Sequence, residues 1–143
     1  MSVVNEHHIV EKDLSYKLVG IFFKVHRALG RYCRERQYAD ALEQALRREH
    51  IRYRREHALP IAGINSNRVD FYVEDRILVD LKAKPFIKKE DYYQMRRYLE
   101  GANAKLGFIV NFRTLYLHPK RVLNPRCSQY PPHTNIRGIH IYS

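Results

Sequence analysis

Two short segments that are apolar on both faces constrain this 143-residue chain most strongly. Residues 77–84 begin with three consecutive apolar residues, and residues 105–112 contain the run Leu-Gly-Phe-Ile-Val. A strand of this kind is typical of the centre of a sheet that is covered on both sides. A segment of helical periodicity, residues 88–100, lies between the two, so no hairpin joins them. We therefore expect a mixed sheet with helices on both of its faces.

The other elements follow from hydrophobic periodicity. Apolar residues recur at three- and four-residue steps in two early segments, which predicts helices at 10–29 and 34–50. Strands are predicted at 51–61, 68–73, 77–84, 105–112 and 115–122, with a last edge strand at 138–143. The predicted element order is αα-βββ-α-ββ, which belongs to the α/β class.

The composition limits the classes of function. The 26 Lys and Arg residues outnumber the 15 Asp and Glu residues, giving a formal net charge of +11. This excess favours a polyanionic partner, of which nucleic acid is the commonest. No apolar run approaches the roughly 20 residues that a membrane span needs. Two cysteines make neither a disulfide scaffold nor a zinc cluster.

The length is that of one domain, covering residues 1–143. The polar, irregular segment 1–9 is expected to be flexible, and residues 123–143 are expected to form a C-terminal extension. The first residues lack the pattern of a signal peptide. We therefore expect a cytoplasmic protein without a membrane anchor.

A pair of acids marks the predicted centre of the sheet. Asp80 and Lys82 are two residues apart in a strand, so their side chains share a face. If residues 74–76 form a three-residue hairpin loop, Asp70 lies directly opposite Asp80. Directly opposed like charges repel, unless a divalent cation lies between them. Because hard oxygen ligands suit Mg²⁺ or Mn²⁺, the sequence predicts a metal site here.

The alternation of polar and apolar residues in 68–73 predicts which side of the sheet each residue of this strand faces. Val69, Phe71 and Val73 are predicted to face one side of the sheet, and Asp70 the other.

A third acid, Glu35, lies in the first turn of the second predicted helix. It shares a helical stripe with Tyr38 and Leu42, which places it near the inward face. An acid at this position also complements the helix dipole, which is the alternative interpretation. Because the strand pair requires further ligands, we include Glu35 in the predicted site.

These acids resemble the signature of a known family. Asp70, followed by Asp80, Leu81 and Lys82, is similar to the D…(D/E)xK motif of the PD-(D/E)xK, or restriction-endonuclease-like, nuclease superfamily. Glu35 matches the acid that this superfamily carries on its first helix. The resemblance runs from about residue 18 to residue 122.

Two further motifs extend the resemblance. Gln94 and Tyr98 resemble the QxxxY motif of the RecB-type branch, on the helix after the central strand. Glu35 to Tyr38 is similar to the ExxY part of the small GxxExxY proteins. The chain departs from that pattern at Tyr32, where the pattern has Gly.

The resemblance implies a restriction-endonuclease-like mixed central sheet flanked by helices, and divalent-metal-dependent hydrolysis of phosphodiester bonds. The implied ligands of the Mg²⁺ or Mn²⁺ ion are Glu35, Asp70, Asp80 and the carbonyl of Leu81. Lys82 is expected to orient the attacking water or to stabilise developing negative charge. Gln94 and Tyr98 are expected to position the site or the nucleic-acid backbone; a solvated helix position and simple packing are the alternatives.

Basic and aromatic residues supply the predicted contacts with nucleic acid. Cations beside a carboxylate site favour a polyanion that reaches a bound metal. Four tyrosines interleaved with these charges are suited to stack on bases, namely Tyr32, Tyr53, Tyr92 and Tyr93. The predicted nucleic-acid contacts are Tyr38, Arg54, Lys84, Lys88, Lys89 and Arg97.

The leading hypothesis is a metal-dependent deoxyribonuclease. Holliday-junction resolvases are similar in size, charge and motif order, which makes a structure-specific, homodimeric endonuclease a variant of it. Two alternatives stay open: a non-catalytic nucleic-acid-binding module, and a nuclease subunit of a larger DNA repair or defence complex.

Overall fold

The computed structural model describes residues 11–59 and 68–125, and in them three helices and five strands. The helices are α1 (Lys12–Leu29), α2 (Glu35–Arg48) and α3 (Lys89–Ala102). The strands are β1 (Tyr53–Ala58), β2 (Arg68–Val73), β3 (Ile77–Lys82), β4 (Leu106–Asn111) and β5 (Lys120–Leu123). The predicted order αα-βββ-α-ββ is confirmed. The predicted flexible segment 1–9 and the predicted strand at 138–143 lie outside the described residues.

The five strands form one mixed sheet in the order β1-β2-β3-β4-β5. Only β3 and β4 run parallel, because α3 connects them, and the other neighbouring pairs are antiparallel. The core residues of α1 and α2 pack on one face of the sheet, and those of α3 pack on the other. The predicted mixed sheet with helices on both faces is therefore confirmed. Within the described ranges, no helix is long and apolar enough to cross a membrane.

The turn between β2 and β3 sets the register of the acids. Val73 pairs with Ile77 and Phe71 with Val79, so residues 74–76 form the predicted three-residue loop. The same register, continued by one residue, places Asp70 opposite Asp80.

The alternation of β2 breaks at Asp70, which corrects one prediction. Phe71 packs with the core under α1 and α2, but Val69 packs with the core under α3. In the neighbouring strand, Glu56 has a φ of 52°, and the register continues on both sides of it. This left-handed residue lies across from Asp70, so both strands change face at the same point.

Strand β5 is shorter than predicted, since it begins at Lys120 rather than near residue 115. The preceding residues form a turn, in which the Thr114 hydroxyl donates to the Tyr116 carbonyl at 2.8 Å. Pro119 then lacks the backbone N–H that a longer strand would need. The His26 ring nitrogen lies 2.9 Å from the Thr114 carbonyl and fixes this turn to α1.

Candidate active site

The two predicted acids meet where β2 separates from β3. Asp80 is buried with 8% of its surface exposed, and its carboxyl group is hydrogen-bonded to that of Asp70. One Asp70 oxygen also accepts a hydrogen bond from the backbone N–H of Leu81 at 2.6 Å. The Asp70 side chain thus takes the place of a backbone acceptor on β2, which fixes its carboxyl group beside Asp80.

The surroundings of this pair favour a bound cation or proton. Burial raises the pKa of Asp70 to about 8, and the charge and hydrogen bond of Asp80 act in the same direction. At neutral pH, without a cation, the pair therefore retains a proton. A divalent ion in place of that proton would relieve the same repulsion, so the donor set fits a hard cation.

Lys82 places a positive charge beside the pair. Its Nζ lies 3.1 Å from an oxygen of Asp80 and 3.8 Å from an oxygen of Asp91. Burial opposes the charged form, but the two carboxylates outweigh burial and raise the pKa of Lys82 above its ordinary value. The ammonium group is therefore charged and held between β3 and α3.

Asp91 is a residue of this site that the sequence did not reveal. Its carboxylate accepts the backbone N–H of Lys88 at 2.8 Å and contacts Lys84 Nζ at 2.6 Å, besides Lys82. Burial opposes its ionisation, but the bonds from Lys84 and Lys88 outweigh it and lower the pKa of Asp91. The contact of Asp91 with the Lys88 backbone N–H could be expected from the sequence, because acids are common in the first turn of a helix. The contact with Lys82 could not, because it depends on how α3 packs on β3.

Glu35 lies at the rim of the site. It is the exposed first residue of α2, and its Oε2 accepts the backbone N–H of Ala83 at 3.3 Å, just after β3 ends. Its charge acts on both Asp70 and Lys82. In the described residues, no three His, Cys, Asp or Glu side chains are grouped closely enough to hold a metal ion. The structure thus brings Asp70 and Asp80 together and leaves Glu35 close by.

The two predicted positioning residues lie on α3. Tyr98 is buried, and burial followed by the charge of Asp80 raises the pKa of its hydroxyl. Tyr98 is therefore close to the acid pair. Gln94 is half-buried one turn earlier on the same helix. The buried side chain of Leu81 packs with the core under α1 and α2, and the Leu81 backbone N–H is bound by Asp70.

One predicted nucleic-acid contact requires correction. The Tyr38 side chain is fully buried, donates from its hydroxyl to the Gly30 carbonyl, and stacks on Phe112 with ring centroids 4.3 Å apart. It has no surface to offer a ligand, so its role is to hold the loop before α2.

The other predicted contacts lie at or near the surface. Lys88 and Lys89 are exposed at the start of α3, where the Lys88 backbone N–H donates to Asp91, and Arg97 is exposed further along α3. Lys84 is half-buried, and its ammonium group forms an ion pair with Asp91. Arg54 lies toward the turn between β2 and β3, where it pairs with Asp75 at 3.2 Å.

Comparison with known families agrees with this geometry. The family model described as the PD-(D/E)XK nuclease superfamily matches residues 12–122, a span that contains α1 through most of β5 and every acid of the site. Comparison with curated proteins and with solved structures gave no significant match. The five-stranded mixed sheet with helices on both faces is the α/β architecture of restriction-endonuclease-like proteins. On the extent of the family match, this chain belongs to the PD-(D/E)XK nuclease superfamily.

Proposed function

We propose that this protein is a divalent-metal-dependent nuclease that hydrolyses phosphodiester bonds in DNA. Membership of the superfamily supports a nuclease-type hydrolase that binds nucleic acid. The observation that carries the proposal is the contact between buried Asp80 and half-buried Asp70, with the Lys82 ammonium 3.1 Å from Asp80. Two facing carboxylates cost the fold stability, and acids perturbed in this way cluster at functional sites.

In the proposed mechanism, Asp70, Asp80 and Glu35 would hold Mg²⁺ or Mn²⁺, with help from the Leu81 carbonyl. Such an ion would supply Lewis-acid chemistry, polarising the phosphate and making a water more acidic. Lys82 orients the attacking water or stabilises the negative charge that develops on the phosphate. Because Lys82 also contacts Asp91, its ammonium group would keep a carboxylate partner on α3 when Asp80 holds the ion.

The chain's surface supports a phosphate-rich substrate. Lys88 and Lys89 are exposed at the start of α3, so they are available to phosphates that approach the acids. Arg97 and Arg54 extend the basic surface along α3 and β1. Gln94 and Tyr98 position the site or the nucleic-acid backbone. A branched DNA substrate, a homodimer, a cytoplasmic location, and kinship with the RecB-type branch and the GxxExxY proteins all stay predictions.

A non-catalytic nucleic-acid-binding module and a nuclease subunit of a repair or defence complex are the alternatives. The complete set of Asp70, Asp80 and Lys82 argues against the first, since a degenerate site would lose one of them. The second differs only in needing a partner protein for activity.

The test is a cleavage assay on supercoiled, linear, single-stranded and four-way-junction DNA. We expect the purified protein to cut at least one of these with Mg²⁺ or Mn²⁺ and none with EDTA. Asp80→Asn preserves the shape of the side chain but removes the charge, so it should abolish cleavage. Asp40→Asn makes the same chemical change on α2, outside the site, and should leave cleavage intact. If Asp80→Asn protein cuts as fast as the parent, the activity lies elsewhere and the binding-module hypothesis replaces this one.

A further inference from the structure

The loop between α1 and α2 carries an exposed ring flanked by two guanidinium groups. Tyr32 has 75% of its surface exposed. The guanidinium carbon of Arg31 lies 5.0 Å from the centre of the Tyr32 ring, and that of Arg113 lies 5.9 Å from it. These are cation–π distances, so the three side chains form one platform.

The backbone around this platform is fixed. Arg113 Nε donates to the Arg31 carbonyl at 2.9 Å, which joins the turn after β4 to the loop before α2. The buried Asn111 accepts the backbone N–H of Arg113 at 3.2 Å. The same Asn111 bonds both backbone groups of Lys84, at 3.2 and 2.8 Å. The platform is thereby tied to the segment that follows the site strand.

The cations of the platform are not neutralised by acids. Among the residues that the structure describes, neither Arg31 nor Arg113 is paired with an acidic side chain. Both guanidinium groups lie over the Tyr32 ring, and 75% of the Tyr32 surface is still exposed. An exposed aromatic ring in contact with unneutralised cations matches a nucleotide, whose base stacks while its phosphate is paired.

The platform also lies close to Glu35, at the rim of the site. Tyr32 is three residues before Glu35, so their Cα atoms are within about 10 Å of each other. Glu35 itself bonds the backbone N–H of Ala83 at the end of the site strand. A base on Tyr32 would therefore lie beside the rim of the site.

We infer that Arg31, Tyr32 and Arg113 form a stacking platform for an unpaired base of the DNA substrate, next to the site of cleavage. The inference rests on the proposed nuclease function for its substrate. It adds that the substrate presents single-stranded nucleotides there, because a paired base keeps both faces stacked within its duplex.

The test is the binding of a fluorescein-labelled oligo-dT strand, and of a duplex of matched length, by fluorescence anisotropy in EDTA. EDTA keeps the measurement independent of cleavage. Tyr32→Ala should weaken binding of the single strand by about 5- to 150-fold, the range for loss of one base stack. Tyr32→Phe retains the ring and should bind as the parent does. Tyr16→Ala removes a tyrosine that is 82% exposed on α1 and should change neither affinity.

The outcomes separate this inference from the proposed function. Equal losses for the single strand and the duplex, an unchanged affinity in Tyr32→Ala, or no binding by the parent would overturn the platform. If the parent cleaves DNA while Tyr32→Ala binds normally, the nuclease proposal stands and the platform does not. Single-strand binding that depends on Tyr32 in a protein that never cleaves would support the platform and overturn the nuclease proposal.

Discussion

The charged side chains between α2 and β1 pair each acid with a base, whereas two acids on the neighbouring strands β2 and β3 lie against each other. The first group, Asp40, Glu43, Arg47, Tyr53 and Arg55, is called the edge cluster here. Glu43 accepts the Tyr53 hydroxyl at 2.6 Å and Arg55 at 2.8 Å, and Arg55 also binds Asp40 at 2.8 Å. The bonds from Tyr53 and Arg55 lower the pKa of Glu43.

The second group, Asp70, Asp80, Lys82 and Asp91, is called the site cluster here. It has an excess of acids, and burial with the charge of Asp80 raises the pKa of Asp70. Folding favours the charged forms of Glu43, Arg47 and Arg55 in the edge cluster and opposes the charged form of Asp70 in the site cluster. The ion pairs of the edge cluster therefore stabilise the fold, whereas Asp70 is retained at a cost in stability, as is typical of functional sites.

The largest expected difference between the clusters is in catalysis. Lys82→Ala removes the ammonium from the site cluster and should lower the cleavage rate at saturating DNA by roughly 10²–10³, the effect of one electrostatic donor. Arg47→Ala removes a cation from the edge cluster and should leave that rate unchanged. Single-turnover rates of both variants check this, and equal losses would remove the distinction between the clusters.

Stability should respond in the opposite direction at the site cluster. Asp70→Asn cannot ionise, and its side-chain oxygen still accepts the Leu81 N–H. We expect the metal-free variant to gain about 1–3 kcal/mol in free energy of unfolding at pH 7. Urea unfolding in EDTA measures this, and a loss of stability would show that the Asp70 carboxyl group supports the fold.

The pH dependence follows from the same group. The pKa of Asp70 is about 8 in the fold against 3.8 for a free side chain, so the folded state holds a proton that the unfolded state loses in this window. The contribution of Asp70 to the free energy of unfolding should therefore fall as the pH rises from about 4 to 8. Urea unfolding of metal-free protein across this range should show a shallower fall in Asp70→Asn. Identical profiles would contradict the raised pKa.

The smallest effect is expected in the edge cluster. Because the pKa of Glu43 is lowered by its partners, its contribution is present at neutral pH and is lost as the pH falls below about 4.5. Glu43→Gln should therefore reduce the free energy of unfolding at pH 7 by less than about 1 kcal/mol, as for a partly exposed ion pair. A gain in stability, like that expected of Asp70→Asn, would contradict the proposed difference between the edge cluster and the site cluster.

Local patterns in the sequence predicted much of this architecture. The three-residue loop at 74–76 and the common face of Asp80 and Lys82 depend only on strand periodicity and turn length. These two features already place Asp70 against Asp80. The order of helices and strands follows from the apolar periods in the same way.

The features that the sequence did not predict depend on packing between residues that are far apart in the chain. The change of face at Asp70 depends on the left-handed Glu56 in the neighbouring strand. Tyr38 was expected to meet nucleic acid, but it stacks on Phe112, which lies far along the chain. The contact of Asp91 with Lys82 likewise requires the docked position of α3. Each of these depends on residues that are distant in sequence, which periodicity does not report.

The most direct test of the central claim, that the acid pair is a divalent-cation site, is isothermal titration calorimetry with Mg²⁺ or Mn²⁺ at neutral pH. We predict binding to the parent and to Asp40→Asn, accompanied by release of the proton that the pair holds. Asp80→Asn should show no binding at this site. Binding of equal affinity in the parent and in Asp80→Asn would contradict the account.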